Sequence, residues 1–505
     1  MSEEPGCYRV PLDRYPGMNR FVLDWLSGDQ RFLPREGQPP PAVRARNIDS
    51  DLLDALIASN RRWGLDVQDD LRRWAAGETV TMVAGQQVGF AGGPLYTLVK
   101  IASLLKMKRD QEARGGPATV FFWLATEDHD FAEAASIALP NRDENRQRDL
   151  TWLRATRPPH SREVVGRSVI PEALIEQLVS TLGISRPRWL RSGITFGDSF
   201  AELITTILGG GFVLIDALLP ELRRAGAPLF NAIVARWDEI QSALSSRSAE
   251  LERAGYTPQI APRPGEPYTL LYEIDASGNR ALLQKPARIG RPETISTSAV
   301  TRPLLQEFVL RPDIFVGGPA EVSYYAQVAP LHRLLNIPLP RIGLRGHVLV
   351  GPRRVVRYLS RFDIPPHEVF ATPERIAAAH AEAGVAEIQR IAGEAEEQLK
   401  AHIEKIRNLS LPADHAVARS INRSIGHIEY HFNKLTERAI RGLVRKDKER
   451  FRAARELAST FYPDQHVQDR VVAWFPYWCE YGKQFVERVV DEVEPDTPAF
   501  KIVSL

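Results

Sequence analysis

The sequence predicts an α/β protein, a buried parallel sheet made of βαβ units with a long antiparallel helical hairpin appended. Two observations predict the sheet. Val80-Thr81-Met82-Val83-Ala84 is a short β-branched run, and Ala118-Thr119-Val120-Phe121-Phe122-Trp123-Leu124-Ala125 is apolar throughout, as a strand covered on both faces should be. Between them lie a glycine-rich loop and a helically spaced run, Leu95, Leu98, Val99, Ala102, Leu105 and Met107, which completes strand, loop, helix, strand. A third observation predicts the hairpin. Val385, Ile388, Ala392, Ala395, Leu399, His402, Ile406 and Leu409 recur at alternating spacings of three and four. Ile421, Ile425, Ile428, Phe432, Leu435 and Ala439 do the same after a break at Leu411-Pro412-Ala413-Asp414.

The other elements follow in order. Residues 1–78 read as mostly helical, with a start at Ile48–Leu56 and Trp63, Val67, Leu71 and Trp74 at intervals of four, four and three. Pro94 suits a first helical turn. Gly211-Phe212-Val213-Leu214-Ile215-Asp216 is a third strand ending in an acid, and the Arg- and Pro-rich stretch 141–192 reads as an insertion. Residues 268–285 alternate around Asp275-Ala276-Ser277-Gly278-Asn279, a hairpin outside the parallel sheet. The last 40 or so residues, with Trp474, Phe475, Tyr477 and Trp478, return to a compact aromatic texture.

Composition narrows the function. At 505 residues the chain is long enough for two or three domains, and a net charge of +2 gives no field for nucleic acid or an anionic membrane. Cys7 and Cys479 have no CxxC spacing, so neither a disulfide framework nor a cysteine-ligated zinc site is expected. No run of about 18 apolar residues suggests a membrane span, and the acidic N-terminus lacks the apolar core of a signal peptide. A cytoplasmic protein with reduced thiols is the expectation.

Three clusters carry chemistry. The loop Val83–Lys100 combines Gly85, Gly89, Gly92 and Gly93 with Gln86, Gln87, Tyr96, Thr97 and Lys100. Free backbone N–H groups at a helix start can hold an anion, although this spacing matches neither of the common phosphate loops. Glu127-Asp128-His129-Asp130 follows the second strand and needs a cationic partner to relieve its repulsion. Substrate-amine binding or base catalysis fits it better than a metal, because adjacent loop residues rarely all ligate one ion. The third cluster runs from Thr301-Arg302 through Gln306 and Glu307 to Gly317-Gly318-Pro319, Glu321, Tyr324 and Gln327. Arg302 could clamp a carboxylate or simply pair with Glu307; spacing leaves both open. Asp216, at the end of the third strand, joins the candidate set.

Together these motifs resemble the BshC family, the cysteine-adding enzymes of bacillithiol synthesis. The resemblance rests on Gly85-Gln86-Gln87 with Gly93-Pro94-Leu95-Tyr96-Thr97, on Glu127-Asp128-His129-Asp130, and on Thr301-Arg302-Pro303-Leu304 with Gln306-Glu307-Phe308. Gly318-Pro319 with Glu321, Pro340-Arg341, and Tyr481-Gly482 with Phe485 continue it in the same order over nearly the whole chain. Ala320 departs from the pattern by standing where the family usually has glycine. The resemblance implies a Rossmann-like core, class I synthetase-like, over residues 1–370 with insertions near 141–192 and 240–300. It also implies an antiparallel coiled coil at 371–462 pairing two copies, and a segment at 463–505 that packs back on the core.

The reaction it implies joins L-cysteine to the amine of glucosaminyl-malate as an amide. On that expectation the carboxylate is activated with ATP or another nucleotide, its phosphate held by the N–H groups around Gly92 and Gly93 and by Lys100. His129 or Asp128 takes the amine proton, and Arg302 or Arg341 holds the malyl carboxylates. The histidine signature and lysine loop of class I synthetases are missing from the sequence. A nucleotide- or sugar-phosphate-binding transferase and a non-catalytic coiled-coil scaffold are the competing readings.

Overall fold

The computed structural model describes residues 6–35, 46, 48–141, 148–158, 161–378, 382–410, 415–444 and 448–505. The chain forms two compact units, one made of Cys7–Val350 with Gln468–Val503 and the other essentially of Gly351–Val467.

The first unit is built on five parallel strands. Their spatial order is Arg341–Leu344, Ile314–Gly317, Val80–Gln86, Ala118–Leu124, Val213–Asp216. The chain begins in the middle, grows to one side, then returns to extend the other, which is the doubly wound topology. Register runs from Val80↔Ala118 to Gln86↔Leu124, and all seven residues of Ala118–Leu124 are buried. Helix Leu95–Ala113 covers the first two strands, and its first ten residues are buried almost all round. Pro94 caps that helix rather than opening it.

Antiparallel pieces surround the sheet. Leu271–Ile274 pairs with Arg280–Leu282 on one edge and with Ile295–Thr297 on the other, so the hairpin expected around Asp275–Asn279 is present. Within the Arg- and Pro-rich stretch, Leu150–Arg154 pairs with Ser136–Pro140; residues 142–147 and 159–160 lie outside the described residues.

The N-terminal expectation needs two corrections. Cys7–Pro11 is a strand, antiparallel to Ala499–Ser504 in the register Cys7↔Val503 to Pro11↔Ala499. Five residues carry too little periodicity to announce a strand whose partner is the other end of the chain. The Trp63–Trp74 pattern is two helices, Ser50–Arg62 and Gln68–Ala75, separated by Gly64 at φ +90°. The four apolar side chains are nonetheless all buried.

The second unit is helical. Glu382–Ser410 and His415–Val444 pack against each other, and Lys448–Phe461 buries Ala454, Leu457 and Phe461. The turn expected at Leu411–Asp414 lies outside the described residues. Part of the expected seam stays in solvent: Ile406, Ile428 and Leu435 are exposed. No helix among the described residues is long and apolar enough to cross a membrane.

Candidate active site

A cavity of about 820 Å3 opens at the carboxyl ends of the central strands, beside the strand where the winding reverses. That is where doubly wound sheets bind ligands, because the loops on either side of the reversal run apart. Gln86 and Gln87 reach it from the first strand, His129 follows the second, and Gly318 and Glu321 follow the fourth.

One wall is a buried ion cluster. The Lys100 ammonium donates to Gly85 O (2.9 Å), Gln86 Oε1 (3.0 Å) and Glu321 Oε2 (2.5 Å). Glu321 also accepts from the Gly318 backbone N–H at 2.7 Å, capping its own helix, and Arg302 lies 3.9 Å from its other oxygen. Arg302 further donates to the Tyr324 hydroxyl. Burial lowers the Lys100 pKa while the Glu321 charge opposes that fall. The pair persists because each charge is hydrogen-bonded as well as neutralised.

The other wall is acidic. Glu127 is almost fully buried and accepts from Ser296 Oγ (2.8 Å), Thr297 N (3.0 Å) and Thr297 Oγ1 (2.6 Å), with Arg223 at 3.5 Å. It ties the second strand to the Ile295–Thr297 strand. Asp128 accepts from the backbone N–H groups of His129 and Asp130, and Asp130 caps the short helix Phe131–Ala134. Arg280 approaches His129 Nδ1 at 3.1 Å. A guanidinium only donates, so Nδ1 supplies the lone pair and the ring proton sits on Nε2. Burial, then Arg280, holds the His129 pKa below its ordinary value. In this arrangement the ring is neutral and Nε2 is its donor. The Glu133 carboxyl on the exposed rim is raised by partial burial and by Asp130 and Asp128, which suits it to take a proton.

Several expected residues do not reach the cavity. Gly92 N bonds Gly89 O and Gly93 N bonds Phe90 O, so neither N–H is free for a phosphate. Gly92 has φ +86° and lies against the Trp474 indole, where a Cβ would come within 2.6 Å, while Trp474 Nε1 donates to its carbonyl. Gly85 is glycine because a Cβ would meet Trp123 on the neighbouring strand at 2.9 Å. At Gly85 and Gly92 the missing Cβ lets Trp123 and Trp474 come close, and Gly85 also lines the cavity. Thr97 and Gln306 are buried beneath the site. Asp216 accepts from Thr126 Oγ1 and Leu218 N, closing the turn after its strand. Arg341 begins its strand at the opposite end of the sheet and pairs with Asp496 at 2.8 Å.

From that strand it is Arg345 that lines the cavity, just past the carboxyl end and 3.2 Å from buried Asp469. Arg280 was also legible in principle, since it pairs with Ile274 at an inward position of its hairpin. Glu133 and Arg470 carry no local signal. Among the described residues, no group of three or more His, Cys, Asp or Glu side chains could hold a metal ion.

The family description "Bacillithiol biosynthesis BshC, N-terminal Rossmann-like domain" matches residues 41–288 and 279–346. "Bacillithiol biosynthesis BshC, C-terminal coiled-coil domain" matches residues 348–505. A Rossmann-like domain is compatible with nucleotide binding. A Koribacter versatilis protein named "Putative cysteine ligase BshC" is 28% identical, over 96% of this chain and 97% of its own. Proteins of the same name from Solibacter usitatus and Geobacillus kaustophilus are 28% and 25% identical, covering 84% and 98% of this chain and 84% and 99% of theirs. With both halves of the fold matched and the cavity at the reversal of its sheet, the chain belongs to the BshC family of bacillithiol biosynthesis.

Proposed function

We propose that the chain is a cytoplasmic ligase that joins the carboxylate of L-cysteine to the amine of glucosaminyl-malate, forming the amide of bacillithiol. The observation that carries this reading is a single cavity with one wall of paired cations and carboxylate and another of acids with a neutral imidazole. An amino acid and an amine need such opposed surroundings. The names of the relatives support the cysteine half of the reaction.

Amide formation from a free carboxylate needs one carboxylate oxygen converted to a leaving group; ATP or another nucleotide would supply it as a phosphoryl or nucleotidyl group, which would depart with that oxygen as the C–N bond forms. The glycine loop does not fit its phosphates, because the Gly92 and Gly93 N–H groups and the Lys100 ammonium are already engaged. On the protein side, Asp128 or Glu133 takes the proton from the attacking amine. His129 donates from Nε2 to the acyl oxygen as charge grows there. Gln86, Gln87, Tyr324 and Arg302 orient the cysteine. Exposed Ile391, Ile406, Ile428 and Leu435 support a homodimer formed through the helical hairpin.

The test incubates purified protein with L-cysteine, glucosaminyl-malate and ATP and follows bacillithiol by mass spectrometry. Bacillithiol formation is expected, with glucosaminyl-malate accumulating in cells that lack the chain. Normal bacillithiol in those cells would remove the reading.

A further inference from the structure

Almost every cation facing the active-site cavity is already engaged. Lys100 is held by Glu321, Arg302 by Tyr324 and Glu321, and Arg345 by Asp469. Arg280 is tied to His129, Ser296 Oγ and the Thr297 carbonyl. Arg470 is the exception. It lies over the Tyr15 ring at 5.7 Å and has no carboxylate partner among the described residues.

Arg470 also lines a second cavity of about 410 Å3, which shares Tyr96, Glu133 and Arg470 with the first. Across it stands Arg154, at the end of the Leu150–Arg154 strand. Its guanidinium lies 4.2 Å from the centre of the Trp152 indole, and it too has no carboxylate partner among the described residues. Trp152 is 37% exposed, an unusual placement for a tryptophan in this unit. A guanidinium lying over an aromatic ring can still present its N–H groups to a carboxylate in a bidentate fork.

The two cavities adjoin at the residues they share. The first offers Asp128 and Glu133 to an amine, and the second adds Arg154 to the Arg470 common to both. We propose that the second cavity is the subsite for the carboxylate-bearing end of the amine substrate, with Arg154 and Arg470 binding a dicarboxylate attached to the sugar. This rests on the amide-ligase reading and adds where the second substrate lies. A polyphosphate is the poorer match, because its larger negative charge would have to pass the acidic Glu133 rim that the two cavities share.

The test is calorimetric binding of glucosaminyl-malate, of methyl glucosaminide, which lacks the carboxylates, and of ATP. The proteins are the parent, Arg154→Gln, Arg470→Gln and the double variant. Both arginines are exposed, so unchanged melting curves are expected. Each single change should weaken glucosaminyl-malate about 10-fold and the double about 100-fold, with methyl glucosaminide and ATP unaffected. A double variant that binds glucosaminyl-malate as tightly as the parent, or that loses ATP instead, overturns the subsite and leaves the ligase reading standing. A parent protein that does not bind glucosaminyl-malate overturns both.

Discussion

The strand-end cavity and the helical hairpin handle charge and apolar surface in opposite ways. Around the cavity, charges are buried in closed sets: Lys100 with Glu321, Arg345 with Asp469, Glu127 with two hydroxyls and a backbone N–H. Along the hairpin, charges pair in water at i,i+4 spacing, as in Arg390–Glu394 and Lys400–Glu396, while Ile406, Ile428 and Leu435 are exposed. Exposed ion pairs of that kind contribute little, whereas a buried charge that loses its partner is costly. The first region sets its charges by buried polar partners, whereas the second keeps both charges and apolar side chains in solvent.

The largest expected effect breaks the buried side of this comparison. Lys100→Met leaves Glu321 without its nearest cation and should cost about 3–5 kcal/mol in urea unfolding. Adding Glu321→Gln should recover part of it; a single variant as stable as the parent would mean that the cluster is effectively solvated.

A smaller effect comes from His347, buried with neither ring nitrogen bonded among the described residues. Burial, with Arg345 and Arg470 nearby, holds its pKa well below 6.5. The folded protein therefore refuses a proton that the unfolded chain accepts, so stability falls as pH drops below about 6.5, by up to about 1.4 kcal/mol per unit. Half-buried His129, whose pKa is lowered as well, adds to the same acid limb. Unfolding at pH 7.5 and 5.5 should show a shallower loss in His347→Phe, and identical slopes would refute the assignment.

The smallest change in chain stability is expected on the hairpin. Leu435→Lys places a charge at an exposed site, so the melting temperature should barely move. If the proposed homodimer forms through the hairpin, sedimentation should nevertheless shift from dimer to monomer. A variant that sediments like the parent would place the contact between copies elsewhere.

How far the sequence was legible differs between the same two regions. The sheet strands announced themselves because burial on both faces leaves an apolar run, as in Ala118–Leu124. The hairpin did so because helical packing repeats locally. The candidate site was half legible. Strand ends flagged Gln86, Asp128, His129, Arg302 and Glu321, which do line the cavity. The same reasoning named Arg341, at the amino end of its strand, and did not name Arg345, past the carboxyl end. It also assigned to a phosphate the N–H groups of Gly92 and Gly93, which bond within their own turn.

By itself, then, the sequence determined which segments form the parallel core, where polar residues gather at its edge and that a long helical pair follows, since these depend on periodicity along the chain. Only the tertiary structure decided what each polar group does. Trp474 closes on Gly92 from 382 residues away, Glu321 reaches Lys100 across 221, and Arg280 meets His129 across 151. Hydrogen-bond partnership fixes whether a group is free to bind, and it is set by contacts that no local pattern records.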